Sequence, residues 1–149
     1  MTRAETNRLV MADTGFWIAL YDVTDQHHSK AVEMMEQPAL GTFLFPWPLH
    51  YELLRTRFVK RAGWVESFLG VIKEQRIKTI DDRKYRGKAL DLTMQWASGG
   101  RRTISLVDMV VRLVLDDSPY RIRGFITFNP GDFSDVCLKK GIQLQTWLR

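Results

Sequence analysis

Four acidic side chains stand out by where they fall: Asp13 in RLVMADTGFW, Glu52 in LHYELLRTR, Asp108 in SLVD and Asp132 in TFNPGDF. Each has an ordinary explanation when taken singly. Asp13 closes an apolar run and stands where it would cap the helix that follows. Glu52 lies one turn from Arg55, a pairing worth only about 0.2–0.5 kcal/mol. Asp108 comes third after Ser105, like a capping box with Asp in place of Glu, in a first turn that the helix dipole favours for an acid. Asp132 stands where it would cap a helix beginning near Phe133, and Asn129 suits an Asx turn. Placement is what lifts the set above its members. Asp13 and the TFNPGD turn follow strands, Glu52 and Asp108 open helices at the same edge, and in a parallel sheet they converge.

Converging carboxylates repel unless a cation lies among them, so the pattern points to a divalent metal. The donors are hard oxygens, and His27, His28 and His50 have no HExxH-like spacing, which favours Mg²⁺ or Mn²⁺ over Zn²⁺. Asp116 and Asp117 end the helix that Asp108 begins, about 12 Å further along at 1.5 Å per residue. That is too far for the same ion, and they read as solvated acids at a turn.

The elements that must position these groups alternate along the chain. RLVMA reads as a strand, GFWIALYD as a short helix, and DQHHSKAVEMMEQ as a helix opened by Asp25 and closed before Pro38. TFLF is a buried strand. PWPLHYELLRTRFVKRAG carries apolar residues at helical spacing, and Gly63 ends it or bends it into WVESFLGVIKEQR. IKTI is a strand, with Asp81 or Asp82 capping RKYRGKALDLTMQWAS. SLVDMVVRLVLDD presents Val107, Val110, Val111 and Val114 as a buried face, and RGFITF and IQLQTW are strands around a short helix, DFSDVCLKK. Strands separated by helices imply an α/β fold with a mostly parallel sheet, whose crevice lies at the carboxyl ends of the strands.

With 149 residues, 45% of them hydrophobic, the chain suits one domain, residues 1–149. Its net charge of +5 favours polyanionic partners such as nucleic acid. A single cysteine, Cys137, forms no internal disulfide and reads as a buried thiol in a reducing cytoplasm. No apolar run approaches the roughly 18–20 residues of a membrane span, and Leu9 to Ala12 is too short for a signal peptide.

VMADTGFWIAL, HYELLRT, ISLVDMVV and FITFNPGDF, in that order and over nearly the whole chain, resemble the PIN-domain ribonucleases, most closely the VapC-type toxins of toxin–antitoxin pairs. DQHHSKAVE resembles the family's D-x-x-H-x-x-A helix start. The resemblance implies a three-layer α/β/α sandwich, with Asp13, Glu52 and Asp108 as the first, second and third metal-binding acids. Thr14 matches the small hydroxyl residue after the first acid, and Thr127 the one in the last strand; both are expected at the substrate. The fourth position departs from the family's T-x-D: here Asn129 stands where the acid would, and Asp132 follows three residues later. Asn129 holding a metal-bound water and Asp132 supplying the charge are both open, as is one ion or two. The resemblance also implies a homodimer and an antitoxin whose segment lies across the acidic site.

The expected reaction is hydrolysis of RNA, a metal-bound hydroxide attacking the phosphodiester in line. Arg55, Arg57, Lys60 and Arg61 follow Glu52, and Arg101 and Arg102 precede Asp108, so both basic clusters flank the acids where a polyanion must enter; solvated surface is their plainer explanation. Among the tryptophans, Trp17, Trp64 and Trp96 suit packing, whereas Trp47, between two prolines near Glu52, suits substrate contact. Three other readings stay open. One is a catalytically silent PIN-fold binding module, which the missing T-x-D acid permits. Another is a solitary RNA-processing nuclease without an antitoxin. The third is a different acid-dependent phosphohydrolase, against which the absence of D-x-D, P-loop and G-x-G-x-x-G patterns argues.

Overall fold

The computed structural model describes residues 9–37, 41–117 and 119–145. Arg8, Pro38 and Trp147, which bound three of the expected elements, lie outside the described residues. In chain order the elements are β1 (Leu9–Ala12), α1 (Thr14–Tyr21), α2 (His28–Met35), β2 (Thr42–Pro46), α3 (Trp47–Leu53), α4 (Thr56–Val59), α5 (Ala62–Lys73), β3 (Ile77–Ile80), α6 (Arg83–Ser98), α7 (Leu106–Asp116), β4 (Ile122–Ile126), a 3₁₀ turn (Pro130–Asp132), α8 (Ser134–Lys140) and β5 (Gln143–Gln145).

The five strands form one sheet in the order β3-β2-β1-β4-β5, every neighbouring pair parallel. β1 is central because it is apolar on both faces, running from Leu9 to a fully buried Met11 and Ala12. From β1 the chain steps outward through β2 to β3, then returns to the other side for β4 and β5. Because crossovers between parallel strands are right-handed as a rule, crossovers leaving β1 in opposite directions put helices on both faces of the sheet, the α/β/α layering expected of a PIN-like fold. The reversal falls between β1 and β4, whose ends are tied where the Asp13 amide donates to the Ile126 carbonyl (3.1 Å). Asp13 therefore stands at the switch point of the sheet.

Aromatic rings fill the core beside β1 and β2. Trp17, wholly buried, meets Phe43, Phe16, Phe68 and Phe45 with ring centres 4.8–5.7 Å apart. α7 buries Met109, Val110, Val111, Val114 and Leu115; Val107, expected on this face, is only half-buried. Cys137 is buried in α8, as expected, and its thiol is pushed up to about 11 by burial.

Three local expectations are corrected, and the choice left open between Asp81 and Asp82 is settled. Asp25 does not cap α2, which starts after His27; its carboxylate accepts from the His27 amide (2.8 Å) in a turn before the helix. The long helix expected after Pro46 breaks at Leu54–Arg55, with Gly63 inside the first turn of α5. Leu53 and Phe58 are both 1% exposed, and five residues apart on one helix they would point roughly 140° from each other, so the chain must turn between them to bury both. At the start of α6 the capping oxygen belongs to Asp81, which accepts from the Arg83 amide (2.9 Å), while Asp82 pairs with Arg86. Asp117 is not a solvated acid: it is 15% exposed, bonded to the Tyr85 hydroxyl and to Lys84 Nζ (2.6 Å).

Candidate active site

Asp13 leaves β1 in extended backbone and turns its side chain onto α1, where Oδ1 accepts from the Phe16 amide (3.4 Å). The capping role is real but uses one oxygen. The other, Oδ2, accepts from the hydroxyl of Thr127, a wholly buried residue one position past the end of β4. Thr127 in turn accepts from the Asn129 amide (3.0 Å), which orients its proton toward Asp13. Burial pushes the Asp13 carboxyl up to about 6; the Thr127 and Phe16 hydrogen bonds oppose this, and the charges of Asp108 and Glu52 add to it.

Asp108 lies in the first turn of α7, which Ser105 caps by accepting the Asp108 amide (3.2 Å). Its carboxyl is also pushed up to about 6, by burial first, then by the charges of Glu52 and Asp132, against the Ser105 hydrogen bond. Asp13 thus feels Glu52 and Asp108, and Asp108 feels Glu52 and Asp132, although the four come from the end of β1, α3, α7 and the turn after β4. The expected Glu52–Arg55 pair does not form, and no ion pair of Glu52 exists among the described residues. Glu52 lines a cavity of about 570 Å³ with Pro48, Tyr51, Asp82, Arg86 and Val107. Among the described residues no three of His, Cys, Asp and Glu are placed to close on a metal ion as they stand.

The fourth position is shared. Asn129 Nδ2 donates to Asp132 Oδ2 (2.7 Å), so the two candidates for that position form one unit, and Asp132 does not cap α8, whose N-cap is Phe133. The Thr14 hydroxyl, beside Asp13, is buried without a hydrogen-bond partner among the described residues.

The basic residues divide. Arg55 and Lys60, at the two ends of α4, are exposed and make no ion pair among the described residues; Arg57 reaches Asp22 (3.5 Å) and Arg61 lies over the Trp64 ring (4.5 Å). Arg101 lies over Trp96 (5.7 Å). Arg102, still exposed, is tied down on the protein surface, donating to the Gly131 carbonyl (2.5 Å) and to Asp135 (2.9 Å). The histidines also have packing partners: His28 Nδ1 donates to the Ala19 carbonyl (2.8 Å), His27 stacks on Phe128, and His50 shares a hydrogen bond with Thr79 (3.1 Å). Trp47 is 45% exposed and tilted against His50 and Tyr51. Sequence reasoning missed Arg112 of α7 and Asp135 of α8, which join the two helices; the one available signal was an arginine one turn after Asp108.

No family model matches this sequence, and no curated protein does either. Solved structures do. Mycobacterium tuberculosis VapC20, a sarcin-ricin-loop-cleaving toxin, is 20% identical over 85% of this chain and 93% of its own, with a TM-score of 0.62. VapBC2 from Rickettsia felis, bound to a DNA fragment from its promoter, is 14% identical over 93% of this chain and 98% of the matched chain, with a TM-score of 0.55. At such identities what is shared is the fold, and it is the PIN-like fold that the four motifs resemble.

Proposed function

We propose that this protein is a metal-dependent endoribonuclease, the toxin of a toxin–antitoxin pair, in which Asp13, Glu52 and Asp108 hold Mg²⁺ or Mn²⁺. The observation that carries the reading is the gathering of these acids at the switch point of the sheet, where burial, and after it their mutual repulsion, pushes the Asp13 and Asp108 carboxyls up to about 6. Such repulsion is what a cation relieves. The donors are all hard oxygens, and the unpartnered Thr14 hydroxyl is a further polar atom beside Asp13. When bound, the ion would supply a Lewis acid for the phosphate and a water of lowered pKa.

The chain's own residues do the rest. Thr127 and the α1 cap fix both oxygens of Asp13, and Ser105 with the α7 dipole favours an ionised Asp108. Asp132, held by Asn129, adds the fourth negative charge. Arg55 and Lys60, free of ion pairs among the described residues, draw the phosphodiester chain toward a site that would otherwise repel it, and the net charge of +5 acts the same way at longer range. RNA as substrate is supported by the likeness to VapC20, described as a loop-cleaving toxin, and an antitoxin partner by the likeness to VapBC2. A homodimer acting in the cytoplasm belongs to the same reading; no described helix is long and apolar enough to cross a membrane.

Asp13→Asn tests the proposal. Asparagine keeps the helix cap, so the variant should fold, bind RNA and fail to cleave it; undiminished cleavage would remove the proposal. A second reading, a silent binding module, is favoured by acids that do not close on a point as placed. Calorimetry separates the two, since a silent module should show no millimolar or tighter site for Mn²⁺.

A further inference from the structure

The turn carrying Asn129 and Asp132 offers its main-chain carbonyls to two arginines. Arg112, one turn beyond Asp108 on α7, donates to the Asp132 carbonyl (2.6 Å) and forks onto both oxygens of Asp135 (2.7 and 2.9 Å). Arg102, between α6 and α7, donates to the adjacent Gly131 carbonyl (2.5 Å) and to Asp135 Oδ2 (2.9 Å). The Trp96 ring of α6 lies 5.1 Å from the Arg112 guanidinium carbon and 5.6 Å from that of Arg102, close enough for cation–π attraction. Arg112 is only 11% exposed. A guanidinium buried simply to offset Asp135 would be satisfied by that carboxylate. Both arginines instead also take up consecutive carbonyls of the turn.

We propose that Arg112, assisted by Arg102, is a positioning residue that fixes the Gly131–Asp132 backbone against α7 and so sets where the Asp132 carboxylate stands relative to Asp108. Asp108 and Arg112 share one face of α7 at i and i+4, so one rigid helix presents the third acid and fastens the support of the fourth. Arg102, expected at the RNA, serves this turn instead. The inference rests on the nuclease reading above, because the relation between Asp108 and Asp132 matters only if they work on one ion.

The test is a double-mutant cycle with Arg112→Lys, Asp132→Asn and the combined variant, read by Mn²⁺ calorimetry, RNA cleavage and melting temperature. Lysine keeps a cation for Asp135 but cannot fork to the carboxylate while holding the carbonyl. Arg112→Lys should weaken Mn²⁺ binding about tenfold, as loss of a residue supporting a metal ligand does, and lower kcat with KM for RNA unchanged. In the Asp132→Asn background the same change should do nothing further. Equal losses with and without Asp132 would overturn the proposal, and so would parental Mn²⁺ affinity in either Arg112→Lys or Asp132→Asn. Should Arg112→Lys fail to fold, Arg102→Lys must show the same Asp132-dependent loss, or the proposal falls. A parent protein that binds no Mn²⁺ and cleaves RNA as well as Asp13→Asn refutes the nuclease reading and this inference together. A parent that binds Mn²⁺ and needs Asp13, with additive losses in the cycle, refutes only the role of Arg112.

Discussion

The hydroxyl of Thr127 donates to the carboxylate of Asp13, joining residues 114 positions apart at the ends of two adjacent parallel strands. That bond favours the ionised form of an acid which burial pushes the other way. Thr127→Val should therefore raise the Asp13 pKa further and move the acid limb of the cleavage profile to higher pH. At neutral pH the cost should be on the order of 1–2 kcal/mol, about tenfold in rate. Thr127→Ser should restore both. A pH–rate profile with the same acid limb in the Val variant would show that the bond does not tune Asp13.

Asp13 and Asp108 are both raised to about 6 from an ordinary 3.8, so between those values the folded protein binds more protons than the unfolded chain. Stability must then fall as pH rises from about 4 to 6 and stay lower above, the reverse of the usual paired carboxylate. Asp13→Asn removes one of the two charges and keeps the cap. At pH 8 without divalent ions it should be more stable than the parent by about 1–3 kcal/mol, with the gain vanishing near pH 4. Thermal melts across this range check the sign.

Mn²⁺ should raise the melting temperature of the parent at pH 8, because binding to the folded state alone stabilises it, and leave that of Asp13→Asn unmoved. Chelation should reverse the gain. An equal shift in both proteins would place the ion elsewhere.

Tyr85→Phe removes the hydroxyl bonded to Asp117, at the far end of α7 from Asp108, while Lys84 still pairs with that carboxylate. The expected loss is about 1–2 kcal/mol of stability with RNA cleavage per folded molecule unchanged. Urea unfolding beside a cleavage assay measures both.

Arg55→Ala and Lys60→Ala should each lower the slope of log affinity for RNA against log salt by about 0.7, the value for one phosphate contact on a single strand, and leave the melting temperature in place. Unchanged slopes would make these side chains plain solvated surface.

The sequence alone determined the alternation of strands and helices, the placing of Asp13, Asn129 and Asp132 after strand ends, and the Ser105 cap that puts Asp108 in a first turn. These are properties of residues within a few positions of one another, where periodicity and capping operate. It did not reveal that the helix after Pro46 breaks at Leu54–Arg55, since that turn answers to two core side chains, Leu53 and Phe58, needing the same interior. Only tertiary structure decided which partners the polar side chains take. Thr127 faces Asp13 because β1 and β4 are neighbours, and Arg102 reaches Gly131 and Asp135 because α7 and α8 pack together. Each of those pairings spans 29 or more residues, a separation at which local pattern carries no information and only the closing of the fold brings donor to acceptor.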